Sequence, residues 1–165
     1  MTPANAAAHT RENLSVLARS EKQALIWIAR RLPGFINSDH LSALGLVAMA
    51  AAGLSFAAYR LSGWAAVGVV ASLVANWFGD SLDGTVARVR NQQRPRYGFY
   101  VDHIIDVAGT PFLFAGMACC GLMSPVVALI ALALFLVVSA ESYLATHAAG
   151  VFRMSFFGFG PTELR

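Results

Sequence analysis

From Leu41 to Tyr59 the chain carries no charged residue. As a helix, that stretch is long enough to cross a bilayer. A helix without a polar face has no place on the outside of a soluble bundle, so this run limits the chain to a membrane architecture. Its richness in Ala and Gly permits close helix packing. Three further apolar runs follow: Leu61 to Gly79, about Tyr97 to Met123, and Pro125 to about His147. Arg60 closes the first run, and Ser124 with Pro125 marks a turn before the last. With 57% hydrophobic and only 13% charged residues, the composition agrees. The expectation is an all-α, polytopic bundle with four spans.

The segment before these runs differs. Residues 1 to 12 are small and polar and read as disordered. The first thirty or so residues lack the compact apolar core of a cleavable signal, so insertion uses the first true span. A helix is expected from near Ser20, where Ser20-Glu21-Lys22-Gln23 fits a capping box. Leu25, Ile28 and Leu32 fall on one face, with Glu21, Lys22, Arg30 and Arg31 on the polar side and Trp27 suited to an interface. This describes an amphipathic helix lying on the membrane surface; the plainer alternative is a soluble helix packed on another domain. Pro33 and Gly34 stop it, and Asn37, Ser38 and Asp39 offer N-caps for the next helix. The chain thus divides into a tail with an interfacial helix, 1–36, and a transmembrane domain, 37–165.

Charge gives an orientation. The N-terminal segment and the linker bearing Arg88, Arg90, Arg94 and Arg96 hold most of the cations, whereas Arg60 stands alone on the opposite side. The positive-inside rule places the N-terminus, the Arg linker and the C-terminus in the cytoplasm. Nothing beyond that rule is needed to account for Arg90.

Against this apolar background four carboxylates gather. The chain reads Asp80-Ser-Leu-Asp83-Gly84-Thr-Val-Ala87-Arg88 and, after the basic linker, Gly98-Phe-Tyr-Val-Asp102-His103-Ile-Ile-Asp106. Carboxylates at membrane depth are costly, and their default meaning is functional. Residues three and four apart share a helix face, so one helix offers Asp80 and Asp83 and the next Asp102 and Asp106. Gly84, Ala87 and Gly98 leave room for a bulky group to approach the backbone. Such a set suits a hard divalent cation that keeps positions open for phosphate oxygens.

The pattern Asp-x-x-Asp-Gly-x-x-Ala-Arg followed by Gly-x-x-x-Asp-x-x-x-Asp resembles the signature of the CDP-alcohol phosphotransferases, integral membrane enzymes of phospholipid synthesis. The resemblance covers eight fixed positions on two helices. It implies transfer of a substituted phosphate from a CDP-linked donor to an alcohol, with release of CMP. It further implies two Mg2+ ions (Mn2+ being able to substitute) held by Asp80, Asp83, Asp102 and Asp106, with Asp106 as the base. Asp80, Asp83, Gly84, Ala87, Arg88 and Gly98 would then form the CDP site. The implied partners are the CDP-linked donor, an alcohol or lipid acceptor, membrane lipids and a second copy of the chain, but no nucleic acid. Neither the acceptor nor the donor type, CDP-diacylglycerol or a CDP-linked headgroup, follows from the sequence. The family has six spans against four counted here, which predicts a C-terminally truncated fragment that dimerises or binds substrate poorly by itself.

Two other functions remain open from the residues. An intramembrane prenyltransferase of the UbiA type also uses Asp-rich helices and Mg2+, though Asn76 is not beside Asp80 as its pattern would require. A divalent-cation transporter would spread its acids across the bilayer instead of clustering them. Single residues have plain readings too. His103 is a polar neighbour facing another helix, the sharper alternative being a substrate contact or a hydrogen bond that supports a site residue. Glu141, the lone charge of the last run, either lines a pocket or approaches water. Cys119 and Cys120, with Met49, Met117 and Met123, are packing residues. Arg153 and Gly158-Phe-Gly160-Pro161-Thr162 resemble the family's acceptor-side loop too loosely to carry roles.

Overall fold

The computed structural model describes residues 16–149, with side chains from 21 to 145. Five helices, and no strand, form among the described residues: α1 (Val16–Arg31), α2 (Ser38–Ala58), α3 (Ala65–Val89), α4 (Pro95–Cys119) and α5 (Pro125–Ala149). α2 packs against both α3 and α4, α5 packs on α4, and α1 packs on α3.

The helix ends follow from local chemistry. Asn37 caps α2: its side chain accepts from the His40 N–H, and the His40 ring accepts from the Asn37 N–H. α3 ends in a Schellman arrangement. Asn91 adopts φ 55, and the Gln92 N–H reaches the Ala87 carbonyl at 2.9 Å. Pro95 opens α4 at a position where its missing N–H costs nothing. Gly121, at φ +82, closes α4, and Pro125 begins α5.

α2, α3 and α5 are long and apolar enough to cross a membrane. α4 has the same 25 residues as α3 but does not qualify, because Asp102, His103 and Asp106 lower its hydropathy. Three helices therefore meet the criterion, where the sequence suggested four.

α3 runs from the apolar stretch on to Val89, so Asp80 and Asp83 lie within one continuous helix, as their spacing implied. Two other expectations need correction. α1 begins at Val16, so Ser20 lies inside the helix and cannot be its N-cap. The apolar stripe of α1 is not directed outward. Leu25 and Ala29 are buried against Leu41, Leu82 and Val86, with Ile28 and Leu32 packed alongside. Leu82 and Val86 are fully buried there.

Glycines set the helix spacing. A Cβ at Gly53 would run into the Phe112 backbone of α4, and one at Gly116 would meet the Gly53 backbone. A Cβ at Gly79 would stand 2.6 Å from the Leu41 carbonyl oxygen. Helices meeting through small residues gain dispersion contacts that lipid cannot supply. Pro111 sits inside α4 next to this crossing, and Gly109 and Gly116 flank it. The missing N–H at Pro111 leaves the Val107 carbonyl without its helical donor.

Candidate active site

On α3 a stripe at helical spacing carries Asn76, Asp80 and Asp83. On α4 the corresponding stripe carries Asp102 and Asp106. α2 closes the space between them with Ser42 and Gly45. These residues, with Ile105, line one cleft. The part of it that a water-sized sphere can enter is about 10 Å³, which is room for roughly one water. All four carboxylates singled out by the sequence are therefore brought together.

Their settings differ. Asp80 and Asp83 are half-buried, while Asp102 and Asp106 are exposed at the cleft mouth. The Ser42 hydroxyl donates to Asp83 Oδ2 at 2.7 Å, and the Gly84 N–H donates to Asp83 Oδ1. Asp83 also lies within electrostatic reach of Asp80 and Asp102. Asn76 Nδ2 donates to the Gly45 carbonyl at 3.1 Å and so ties the cleft floor to α2. On α4, the Thr110 hydroxyl donates to the Asp106 carbonyl at 2.7 Å.

Four like charges around one cleft repel one another, and a hard cation would relieve that repulsion. In donor chemistry the set fits Mg2+ or Mn2+: every carboxylate is an oxygen ligand and no thiol or imidazole lines the cleft. Among the described residues, no three Asp, Glu, His or Cys side chains converge closely enough to grip a single ion.

The remaining sequence-selected residues are placed less uniformly. Arg88 lines a second cleft, between α3 and α1, and its Nη2 donates to the Thr85 hydroxyl at 3.1 Å. Gly84 adjoins it: a Cβ there would stand 3.7 Å from Arg88 Nη1. Ala87 is half-buried one turn further on. Gly98 is exposed, and a Cβ would meet nothing within 4 Å. Glu141 is exposed on α5 and does not line the carboxylate cleft. His103 does face another helix, its ring edge-on to Tyr143 of α5 at 4.4 Å and its Nδ1 2.6 Å from the Phe99 carbonyl oxygen. Cys120 is buried and Cys119 exposed, both as free thiols. Arg153 and Gly158 to Thr162 lie outside the described residues.

Arg90 requires a correction. It is more than a topological charge: its guanidinium donates to the carbonyls of Leu32, Pro33, Gly34 and Ile36, in the connection from α1 to α2. The sequence reading also missed Ser42 and Asn76 as site residues. Asn76 had a signal, standing four residues before Asp80. Ser42 had little, because its contact with Asp83 spans 41 residues.

The model of the CDP-alcohol phosphatidyltransferase family matches residues 38–164. No curated protein and no solved structure matches the chain. The matched span contains α2 to α5 and all four cleft aspartates.

Proposed function

This chain belongs to the CDP-alcohol phosphatidyltransferase family, and from that premise we propose that it transfers a substituted phosphate from a CDP-linked donor to an alcohol, releasing CMP. The observation that carries the proposal is the meeting of four motif aspartates from α3 and α4 in one cleft. The prenyltransferase and transporter readings fall away with the family match.

Asp80, Asp83, Asp102 and Asp106 would hold divalent cations, whose chemistry is to neutralise charge that builds on phosphate oxygens during displacement. The chain's own groups do the rest. Gly84 and Ala87 leave backbone space for the nucleotide, and Arg88 supplies a cation at its phosphates. Ser42 and the Gly84 N–H fix the direction of the Asp83 carboxylate. Asp106, exposed at the cleft mouth, accepts the proton of the incoming hydroxyl. The acceptor oxygen bonds to the phosphorus on the alcohol side of the pyrophosphate, the P–O bond to CMP breaks, and CMP carries away that bonding pair.

We read α4 as a fourth crossing. The connections 59–64 and 120–124 lie at the same end, because Gly121 packs beside Arg60: a Cβ there would be 3.0 Å from Arg60 Nε. α4 therefore returns through the full depth that α3 traverses. The Arg-bearing end, with the carboxylate cleft near it, faces the cytoplasm in this reading.

The test is CMP release from a CDP-linked donor by the purified protein with and without Mg2+. Asp106→Asn is expected to lower release at least about a hundredfold while nucleotide binding persists. Near-normal release by that variant would reject the role of Asp106. Absence of CMP release from every class of CDP-linked donor would reject the transfer itself.

A further inference from the structure

Asn76 stands one helical turn before Asp80 and lines the same cleft. From Ala65 to Gly79, α3 is otherwise apolar apart from Ser72 and the Trp77 indole. A polar side chain inside a membrane helix is costly, and its default meaning is functional.

The amide of Asn76 is only half used. Its Nδ2 donates to the Gly45 carbonyl at 3.1 Å. A backbone carbonyl only accepts, so the atom facing Gly45 is the nitrogen and the other is Oδ1. Among the described residues no protein group donates to that Oδ1. Nor is it sealed away, because no buried side-chain oxygen of the described residues lacks a partner. Asn76 thus offers the cleft a carbonyl oxygen whose amide is fixed from α2 and whose lone pairs are unused.

The other oxygens of the cleft are placed differently. The Ser42 hydroxyl is engaged with Asp83. Among the described residues, no three acidic, imidazole or thiol side chains converge on one point. A small divalent cation takes about six oxygens, water included, and accepts a neutral carbonyl beside carboxylates. A neutral donor adds a ligand without adding to the repulsion among the aspartates.

We propose that Asn76 belongs to the cation-binding set of the cleft, with Oδ1 serving as a neutral oxygen donor to the ion or to a water held on it. The inference rests on the reading of the cleft as a divalent-cation site, and it adds a residue outside the aspartate pattern from which that reading comes. Hydrogen bonds between membrane helices stabilise them only modestly. The bond to Gly45 therefore matters more for aiming Oδ1 than for joining α2 to α3.

The experiment titrates Mn2+ into the full chain in nanodiscs of phosphatidylcholine, without nucleotide, and reads the free ion by electron paramagnetic resonance. The wild type is expected to bind, and Asp80→Asn to bind far more weakly, which locates the ion in the cleft. Asn76→Ala is expected to bind at least about tenfold more weakly, the range for a lost group that holds or orients a metal. Asn76→Asp keeps an oxygen and adds a charge, and is expected to bind at least as tightly as the wild type. Both variants lose the donor to Gly45, so both are expected to unfold at a similarly lowered temperature when followed by circular dichroism. A residue that only joined the helices would give the two variants the same Mn2+ affinity. Wild-type affinity in Asn76→Ala, or equal weakening in Asn76→Asp, would overturn the proposal and leave the cation reading of the aspartates standing. No Mn2+ binding by the wild type, or undiminished binding by Asp80→Asn, would overturn both.

Discussion

The 2.7 Å bond from the Ser42 hydroxyl to Asp83 connects α2 to a carboxylate that the sequence could only place on α3. With the Gly84 N–H on the other oxygen, Asp83 is steered from both sides. A hydrogen bond to a charged group contributes about 1.5–3 kcal/mol. Ser42→Ala is therefore expected to lower CMP release about tenfold or more, with Ser42→Thr restoring most of it. Steady-state kinetics on the three proteins check this, and an unimpaired Ser42→Ala would show that Asp83 needs no such guide. The case also marks a limit of legibility. All four aspartates could be read from spacing, because helical periodicity alone puts each pair on one face. Ser42 could not, because nothing local distinguishes it from Ser55 or Ser72. Arg88 was legible as a cation in a motif, but its direction was not, since that depends on Thr85 and on how α1 packs.

Among the helices, the glycines divide into those that set spacing and those that do not. Gly53→Ala places a methyl against the Phe112 backbone, which cannot yield as a flexible side chain would. It is expected to destabilise the α2–α4 pair by about 1–3 kcal/mol, the usual cost of overpacking. Gly98→Ala meets open space and is expected to leave stability unchanged. Thermal unfolding in detergent separates the two, and equal melting temperatures would contradict the crossing described. Arg90 acts on a helix connection. Arg90→Lys keeps the charge but cannot span several carbonyls with a rigid fork. Faster hydrogen exchange from Leu32 to Ile36 is expected in that variant, and exchange at the wild-type rate would deny Arg90 this role. Helix existence was readable here because apolar runs and breakers are local. The true start of α1 and the exact end of α3 were not; α3 ends where Asn91 turns to positive φ.

For the whole molecule, the decisive question is which end faces which compartment. A cysteine replacing Arg94 is expected to react with an impermeant maleimide only from the cytoplasmic side, and one replacing Ser124 only from the other. The reverse pattern would invert the orientation inferred from charge. α5 would meet lipid over most of its surface, since Leu129, Leu134, Val137 and Val138 are each more than 60% exposed. The clasp of Arg90 on the α1–α2 connection has a consequence in time. Its carbonyl partners precede it by 54 to 58 residues. During synthesis, α1 leaves the ribosome before the residue that fastens its connection to α2 has been made. The first helix must wait, unanchored, until α3 has been inserted and its far end has emerged. Docking of α1 is thus a late step of assembly, and it closes the second cleft only on a chain whose carboxylate-bearing helix is already in place.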